Sequence, residues 1–280
     1  MENRLMFRFI QVDCNDVHPW RCAAQADLAI SAGDACVVAS GRVLEYGHVL
    51  LIGGETDSPG ESTPRVLRRA TMQDQAMASE NQLFAKTAWR LCQEKIKEHK
   101  LDMRLVRVHY AHDRSHFAVM FTAEERVDFR QFVHDLAAET RSRVEMRQIG
   151  PRDAAAIRGG IAPCGRTLCC AVWLREFDNI NVRMAKNQGL SLNPATLNGM
   201  CGRLKCCLRY EHACYEELVR TLPREGSRVR CPEGEGTVAE VRILERRVKV
   251  RLDDQRVIEL EAGDVFLLGN QGSKVDNAAQ

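Results

Sequence analysis

Between residues 6 and 70, apolar positions come in short runs divided by glycine-containing turns. Met6 to Val12 and Ala35 to Ala39 each predict a strand, and Val43 to Ile52 predicts a longer one broken at Gly47. Short strands with Gly turns at close intervals predict a small β-barrel-like domain over residues 1–70. The Ser, Pro and Gly-rich run from Thr56 to Pro64 marks its boundary. From Gln75 to His99 the period changes. Ala85, Ala88, Trp89, Cys92 and Ile96 recur at three- and four-residue steps and form one helical stripe. Val106, Val108 and Tyr110 then alternate with Arg107 and His109, and Phe117 to Phe121 is apolar on both faces, as a central strand is. Asp128 to Thr140 predicts a second helix, with Phe129, Phe132, Val133, Leu136 and Ala137 on one side, and Val144 to Ile149 a further strand. The order helix–strand–strand–helix–strand predicts an α/β sandwich of split-βαβ type over residues 71–150.

Over residues 151–221 periodicity fades and Cys, Asn and Arg become frequent, with helices expected only near Asn181 to Gln188 and Tyr210 to Arg220. A segment with so little apolar surface to bury would gain its missing stabilisation from a metal. Strand patterns return at Ser227 to Cys231, Thr237 to Ile243, Arg247 to Leu252 and Val257 to Leu260. They predict a small SH3-like β-barrel over residues 222–269, followed by a disordered tail at 270–280. The expected fold class is α+β.

Composition narrows this picture. Hydrophobic residues at 45% and charged residues at 28% fit an ordinary folded chain. A net charge of +2 neither demands nor excludes nucleic acid. The longest apolar runs, such as Val49 to Ile52 and Leu168 to Leu174, fall far short of the ~20 residues of a membrane span. The N-terminus lacks the apolar core of a secretory signal. The chain is therefore expected in the cytoplasm, where thiols stay reduced and its 12 cysteines read as metal ligands more readily than as disulfides.

Six of those cysteines form an internal repeat. Cys164-Gly165-Arg166-Thr167-Leu168-Cys169-Cys170 recurs as Cys201-Gly202-Arg203-Leu204-Lys205-Cys206-Cys207. Each copy is a compact thiolate donor. Cys164 and Cys169, and likewise Cys201 and Cys206, face one centre if the loop between them folds. Gly165 and Gly202 permit a tight turn or a close approach to a bound atom. Arg166 and Arg203 place positive charge near the thiols, which favours thiolate and offsets a cluster's negative charge. Six thiols exceed one four-coordinate site. Either one of each adjacent pair ligates while the other packs, or the surplus serves a partner chain. The spacing fits four-thiolate iron–sulfur sites and also falls within the range of zinc. Simple burial of small apolar thiols explains neither the Gly-Arg pair nor the repetition. By contrast, Cys36 and Cys92 lie on apolar faces and read as core, and Cys14, Cys22, Cys214 and Cys231 are isolated.

At these residues the chain resembles the bacterial YaaT/RicT family, stage-zero sporulation proteins with a PSP-one C-terminal domain. The resemblance rests on Leu44–Gly47, Val127–Arg130, Met146–Asp153, Gly159–Cys170, Met184–Gln188, Leu190–Pro194, Gly199–Tyr210 and Pro232–Val238, and covers residues 5–265. It implies a non-enzymatic regulatory subunit that works with two small helical partner proteins in a complex carrying iron–sulfur clusters. It further implies action with the ribonuclease RNase Y in mRNA processing, with effects on sporulation, competence and biofilm formation. Carried over by motif, the ligands of a cluster, of 4Fe-4S type, would come from Cys164, Cys169, Cys170, Cys201, Cys206 and Cys207. The alternative is a zinc-stabilised RNA- or DNA-binding protein.

Two other readings compete. Arg141, Arg143, Arg147, Arg152 and Arg158 precede the Cys region, and Arg242, Arg246, Arg247, Lys249 and Arg251 follow it. Basic strands on a small barrel can track a phosphate backbone, yet Glu240, Glu245, Asp253 and Asp254 are interleaved, as on a solvated charged face. His109, His112, His116 and His134, with Asp113 and Asp135, suggest acid–base chemistry, but His109 and His134 fall on polar stripes and are expected at the surface. No phosphate-cradling loop, hydrolase elbow or Cys-x-x-Cys pair appears, so an enzyme is not expected.

Overall fold

The computed structural model describes residues 6–56 and 59–268, a mixed α+β chain. The expected tail at 270–280 lies outside the described residues. Strands β1 (Phe7–Asp13), β2 (Trp20–Gln25), β3 (Ala35–Ser40), β4 (Val43–Thr56) and β5 (Arg65–Arg69) close into a barrel in the order β1-β2-β5-β3-β4. Alternation drives the closure: Ile10 and Val12 on β1, Cys22 and Ala24 on β2, and Cys36 and Val38 on β3 turn inward to a common core with Val49 and Val66. Two strands of this barrel, β2 and β5, lie in stretches that carry no clear strand pattern. Strand β4 also runs unbroken through Gly47. A Cβ there would lie 2.5 Å from Val12 Cγ1 and 2.9 Å from Cys14 Sγ, so this glycine serves the close approach of β1 rather than ending a strand.

Helix α1 (Met72–Glu98) begins three residues before the expected start at Gln75, because Thr71 and Asp74 form a capping box. The Asp74 carboxylate accepts from Thr71 N at 2.7 Å, and Asp74 N donates to Thr71 Oγ1. The helix packs on β6 (Arg104–Tyr110), which heads a three-stranded sheet with β7 (His116–Thr122) and β8 (Arg143–Gln148) in the order β6-β7-β8. Strand β7 is central, antiparallel to β6 and parallel to β8, and helix α2 (Arg130–Thr140) makes the crossover. The parallel strands are neighbours, so the βαβ unit is not split by an intervening strand. Phe117, Val119 and Phe121 pack with Phe132 and Leu136 of α2 and with Ala88 and Cys92 of α1. Barrel and sandwich are tied together by His112 N donating to Leu44 O at 2.7 Å, and by an ion pair between Arg147 and Asp16. Helices α3 (Pro151–Arg158) and α4 (Cys169–Val172) follow; α3 is an addition to the sequence reading, with Pro151 at its first turn.

Two compact units divide the chain at Arg175 and Glu176. The second holds α5 (Val182–Asn187), α6 (Pro194–Leu197) and α7 (Cys207–Thr221), then strands β9 (Arg228–Cys231), β10 (Gly234–Arg242), β11 (Arg247–Leu252), β12 (Val257–Glu261) and β13 (Phe266–Leu267). The strands expected to make a small SH3-like β-barrel form, among the described residues, an antiparallel five-stranded sheet in the order β12-β11-β10-β9-β13. Val229, Val238, Val248, Val250 and Leu252 form its core. Among the described residues, no helix is long and apolar enough to cross a membrane.

Candidate metal centre

Both cysteine repeats fold into the same knuckle. In the first, Ile161 and Thr167 form an isolated antiparallel bridge around the Cys-Gly-Arg turn; in the second, Asn198 and Leu204 do so. The backbone bonds correspond one to one. Ala162 N donates to Arg166 O at 2.8 Å, and Gly199 N to Arg203 O at 2.8 Å. Gly165 N reaches Ala162 O and Gly202 N reaches Gly199 O, both at 2.9 Å. Leu168 N bonds Gly160 O at 3.1 Å, and Lys205 N bonds Leu197 O at 2.9 Å. Gly165 at φ +79° and Gly202 at φ +75° occupy the left-handed region that closes each turn. Each knuckle then runs directly into a helix: α4 starts at Cys169, and α7 starts at Cys207 with Cys206 as its cap residue.

Each knuckle is anchored differently. In the first unit, Leu168 and Cys170 are buried, and the Arg175 guanidinium donates to Cys170 O at 3.2 Å and Ala171 O at 2.8 Å. In the second, Leu197 and Leu208 pack with Met184 and Ala185 of α5, with Leu204 beside them. Buried Gln188 donates to Leu208 O at 2.7 Å, which gives its buried side-chain amide a partner and ties it to the first turn of α7.

None of the 12 cysteines, all of them among the described residues, is disulfide-bonded. The repeat thiols are the more accessible set. Cys164 is exposed, Cys169, Cys201, Cys206 and Cys207 are half-buried, and Cys170 alone is buried. Cys14, Cys22, Cys36 and Cys92 lie wholly in apolar cores, as does Cys231 nearly so, whereas Cys214 is exposed on α7. Burial pushes the thiols of Cys22, Cys36 and Cys92 up to about 12, and that of Cys14 higher still, so they are poor ligands and poor nucleophiles. Cys164, Cys169 and Cys170 lie together in the first unit's knuckle; Cys201, Cys206 and Cys207 lie together in the second's. Among the described residues, no three His, Cys, Asp or Glu side chains are gathered into a preformed cage. The donor chemistry nonetheless fits a thiolate-bound metal: reduced, accessible thiols in a duplicated turn, with exposed Arg166 and Arg203 beside them.

Other candidate groups have structural partners. His109 is half-buried rather than at the surface, because Glu45 of β4 lies against it and accepts at 2.8 Å from Nε2. His112 is 6% exposed, and its Nε2 is 3.0 Å from Asp74 Oδ1. His134 is exposed, as expected, and His116 bonds Ser115. In the C-terminal region, Arg228, Arg230, Arg242, Arg247, Lys249 and Arg256 each pair with a carboxylate, whereas Arg246 and Arg251 have no ion pair among the described residues.

Residues 64–149 match the PSP1 C-terminal conserved region, and residues 179–222 match the third domain of PSP1-like proteins. The chain is 43% identical over 230 residues to the stage 0 sporulation protein YaaT of Bacillus subtilis (strain 168), spanning 81% of this chain and 84% of that protein. No solved structure matches it.

Proposed function

The chain belongs to the family of the stage 0 sporulation protein YaaT, and on that footing we propose that it is a non-enzymatic regulatory subunit of an iron–sulfur complex. Its ligand pool is Cys164, Cys169, Cys170, Cys201, Cys206 and Cys207. The group they would hold is a cluster, of 4Fe-4S type, with zinc as the alternative. The observation that carries this reading is the knuckle built twice, with matching backbone bonds and matching thiols on differing flanks. Apolar packing does not require accessible thiols, and the chain's core cysteines elsewhere are fully buried.

When bound, a cluster supplies a redox- and iron-dependent crosslink. The chain's own residues prepare for it: Gly165 and Gly202 close the turns, and Arg166 and Arg203 offset negative charge. Large apolar side chains stand exposed beside the thiols, namely Ile161 and Val172 at the first knuckle and Met200 at the second. Such side chains suit docking of the small helical partners that the family resemblance implies. Through those partners and a ribonuclease, the subunit would act in the cytoplasm on mRNA maturation and so on sporulation, competence and biofilm formation.

The test is a serine series on protein purified without oxygen, with bound iron measured per chain. Cys164→Ser and Cys201→Ser are expected to lose most of the iron, whereas Cys214→Ser keeps it. Equal iron in all three variants would remove the repeat from the site.

A further inference from the structure

A cavity of about 300 Å³ opens between β4, α1 and β6, within the first unit and apart from the cysteine knuckles. That volume lies at the small end of ligand sites, the scale of a mononucleotide or less. Its walls carry Tyr46, Gln82, Lys86, Arg107, His109 and His112.

Charge decides what fits. Arg107 is half-buried, and among the described residues its side chain makes one hydrogen bond, to a backbone carbonyl: Nη1 donates to Asn15 O at 2.8 Å. It has no ion pair among the described residues. Burial lowers its pKa, while Asp13 and Asp16 oppose that shift from outside ion-pair distance. A guanidinium withdrawn from water without a carboxylate is costly, and an anion in the cavity would relieve that cost. Lys86, one helix turn from Gln82 on α1, likewise has no ion pair among the described residues. The wall's one carboxylate, Glu45, is 7% exposed and held by His109. Asp16 is engaged by Arg147 and by the Trp20 indole, at 2.9 Å each. Arg107 and Lys86 are thus the wall's cations without an ion pair among the described residues, and Glu45 is its carboxylate, with Asp13 nearby.

A further polar group in the wall lacks a partner. His112 Nε2 is committed to Asp74, so Nδ1 is the open position of the ring, and it is buried with no hydrogen bond. Tyr46 stacks on this imidazole with ring centroids 6.1 Å apart. Cations from two different elements, a planar fork and a point charge, suit the several oxygens of a phosphate better than a single carboxylate.

We propose that this cavity binds a small phosphorylated ligand of at most mononucleotide size, with its phosphate held between Arg107 and Lys86. Tyr46 and Gln82 border the rest of the molecule. The site stands independently of any metal on the knuckles.

The test is calorimetric titration of the full-length chain with adenosine monophosphate, ribose phosphate, inorganic phosphate and, as an uncharged control, adenosine. At least one phosphorylated compound is expected to bind, and adenosine is not. Lys86→Glu, at an exposed position, should weaken binding ~10-fold or more without changing the circular dichroism or the melting temperature. Arg107→Gln should weaken it as much. Binding by inorganic phosphate alone would narrow the ligand to the free anion; tighter binding of the nucleotide would show that Tyr46 and Gln82 contribute. Absence of binding by every phosphorylated compound, equal binding of adenosine, or binding unchanged in Lys86→Glu would overturn the assignment.

Discussion

Asp74 accepts from the Arg68 guanidinium, from Thr71 N and Oγ1 at 2.7 Å, and from His112 Nε2, while being only 6% exposed. These bonds, the Arg68 one foremost, hold its carboxyl far below the ordinary carboxylate range. A depressed folded pKa contributes stability that is present above the unfolded value of about 3.9 and is lost as pH falls below it. Asp74→Asn is therefore expected to cost about 3 kcal/mol at neutral pH. The gap from wild type should shrink as pH drops from about 5 toward 2, read by urea unfolding across pH; a constant gap would contradict the role given to the carboxylate. Thiol accessibility offers a second residue-level check. Maleimide labelling of the native, metal-free chain, mapped by mass spectrometry, should modify Cys164 and Cys214 first and leave Cys14, Cys22, Cys36 and Cys92 unmodified. Labelling of Cys36 as fast as Cys164 would contradict the barrel core. Cys36 and Cys92 were legible as core in sequence because both sit on apolar faces. The buried partnership of His109 with Glu45 was not, because nothing in a strand's alternation announces which neighbour will cover its polar side.

At the scale of elements, strong periodicity told the truth about α1, α2, β6, β7 and β8. What failed was set by backbone contacts. Strand β2 is held by small inward residues such as Cys22 and Ala24, and β5 by Val66 alone, so neither carries a hydrophobic signature. Gly47 looked like a strand end but marks a crossing. The knuckles extend the repeat upstream of the cysteines through Ile161 and Asn198, whose side chains have nothing in common because the bridge is made by backbone atoms. Ala has no comfortable place at φ near +75°, so Gly165→Ala and Gly202→Ala should each strain the turn by about 1–2 kcal/mol. Both are expected to lower iron retention while leaving the melting of the barrel and sandwich unchanged. Full retention in both variants would mean that the turn geometry is immaterial to the thiols.

Over the molecule as a whole, the barrel, the sandwich and the C-terminal sheet each have an apolar core, whereas residues 151–221 have the small cluster around Met184, Ala185, Leu197 and Leu208 and a few further buried side chains such as Ala154, Leu168 and Cys170. A ligand that binds the folded knuckles adds its binding energy to their order. Chelation should therefore raise amide hydrogen exchange across 151–221 by far more than in β1–β4 or β6–β8; uniform exchange with and without metal would contradict that dependence. The direct test of the central claim is elemental and acid-labile sulfide analysis of the full-length chain purified anaerobically. Iron and sulfide in matching amounts, lost together when the six repeat cysteines are replaced by serine, are the expected result. A chain free of metal, or one whose iron survives the six-serine replacement, would contradict it.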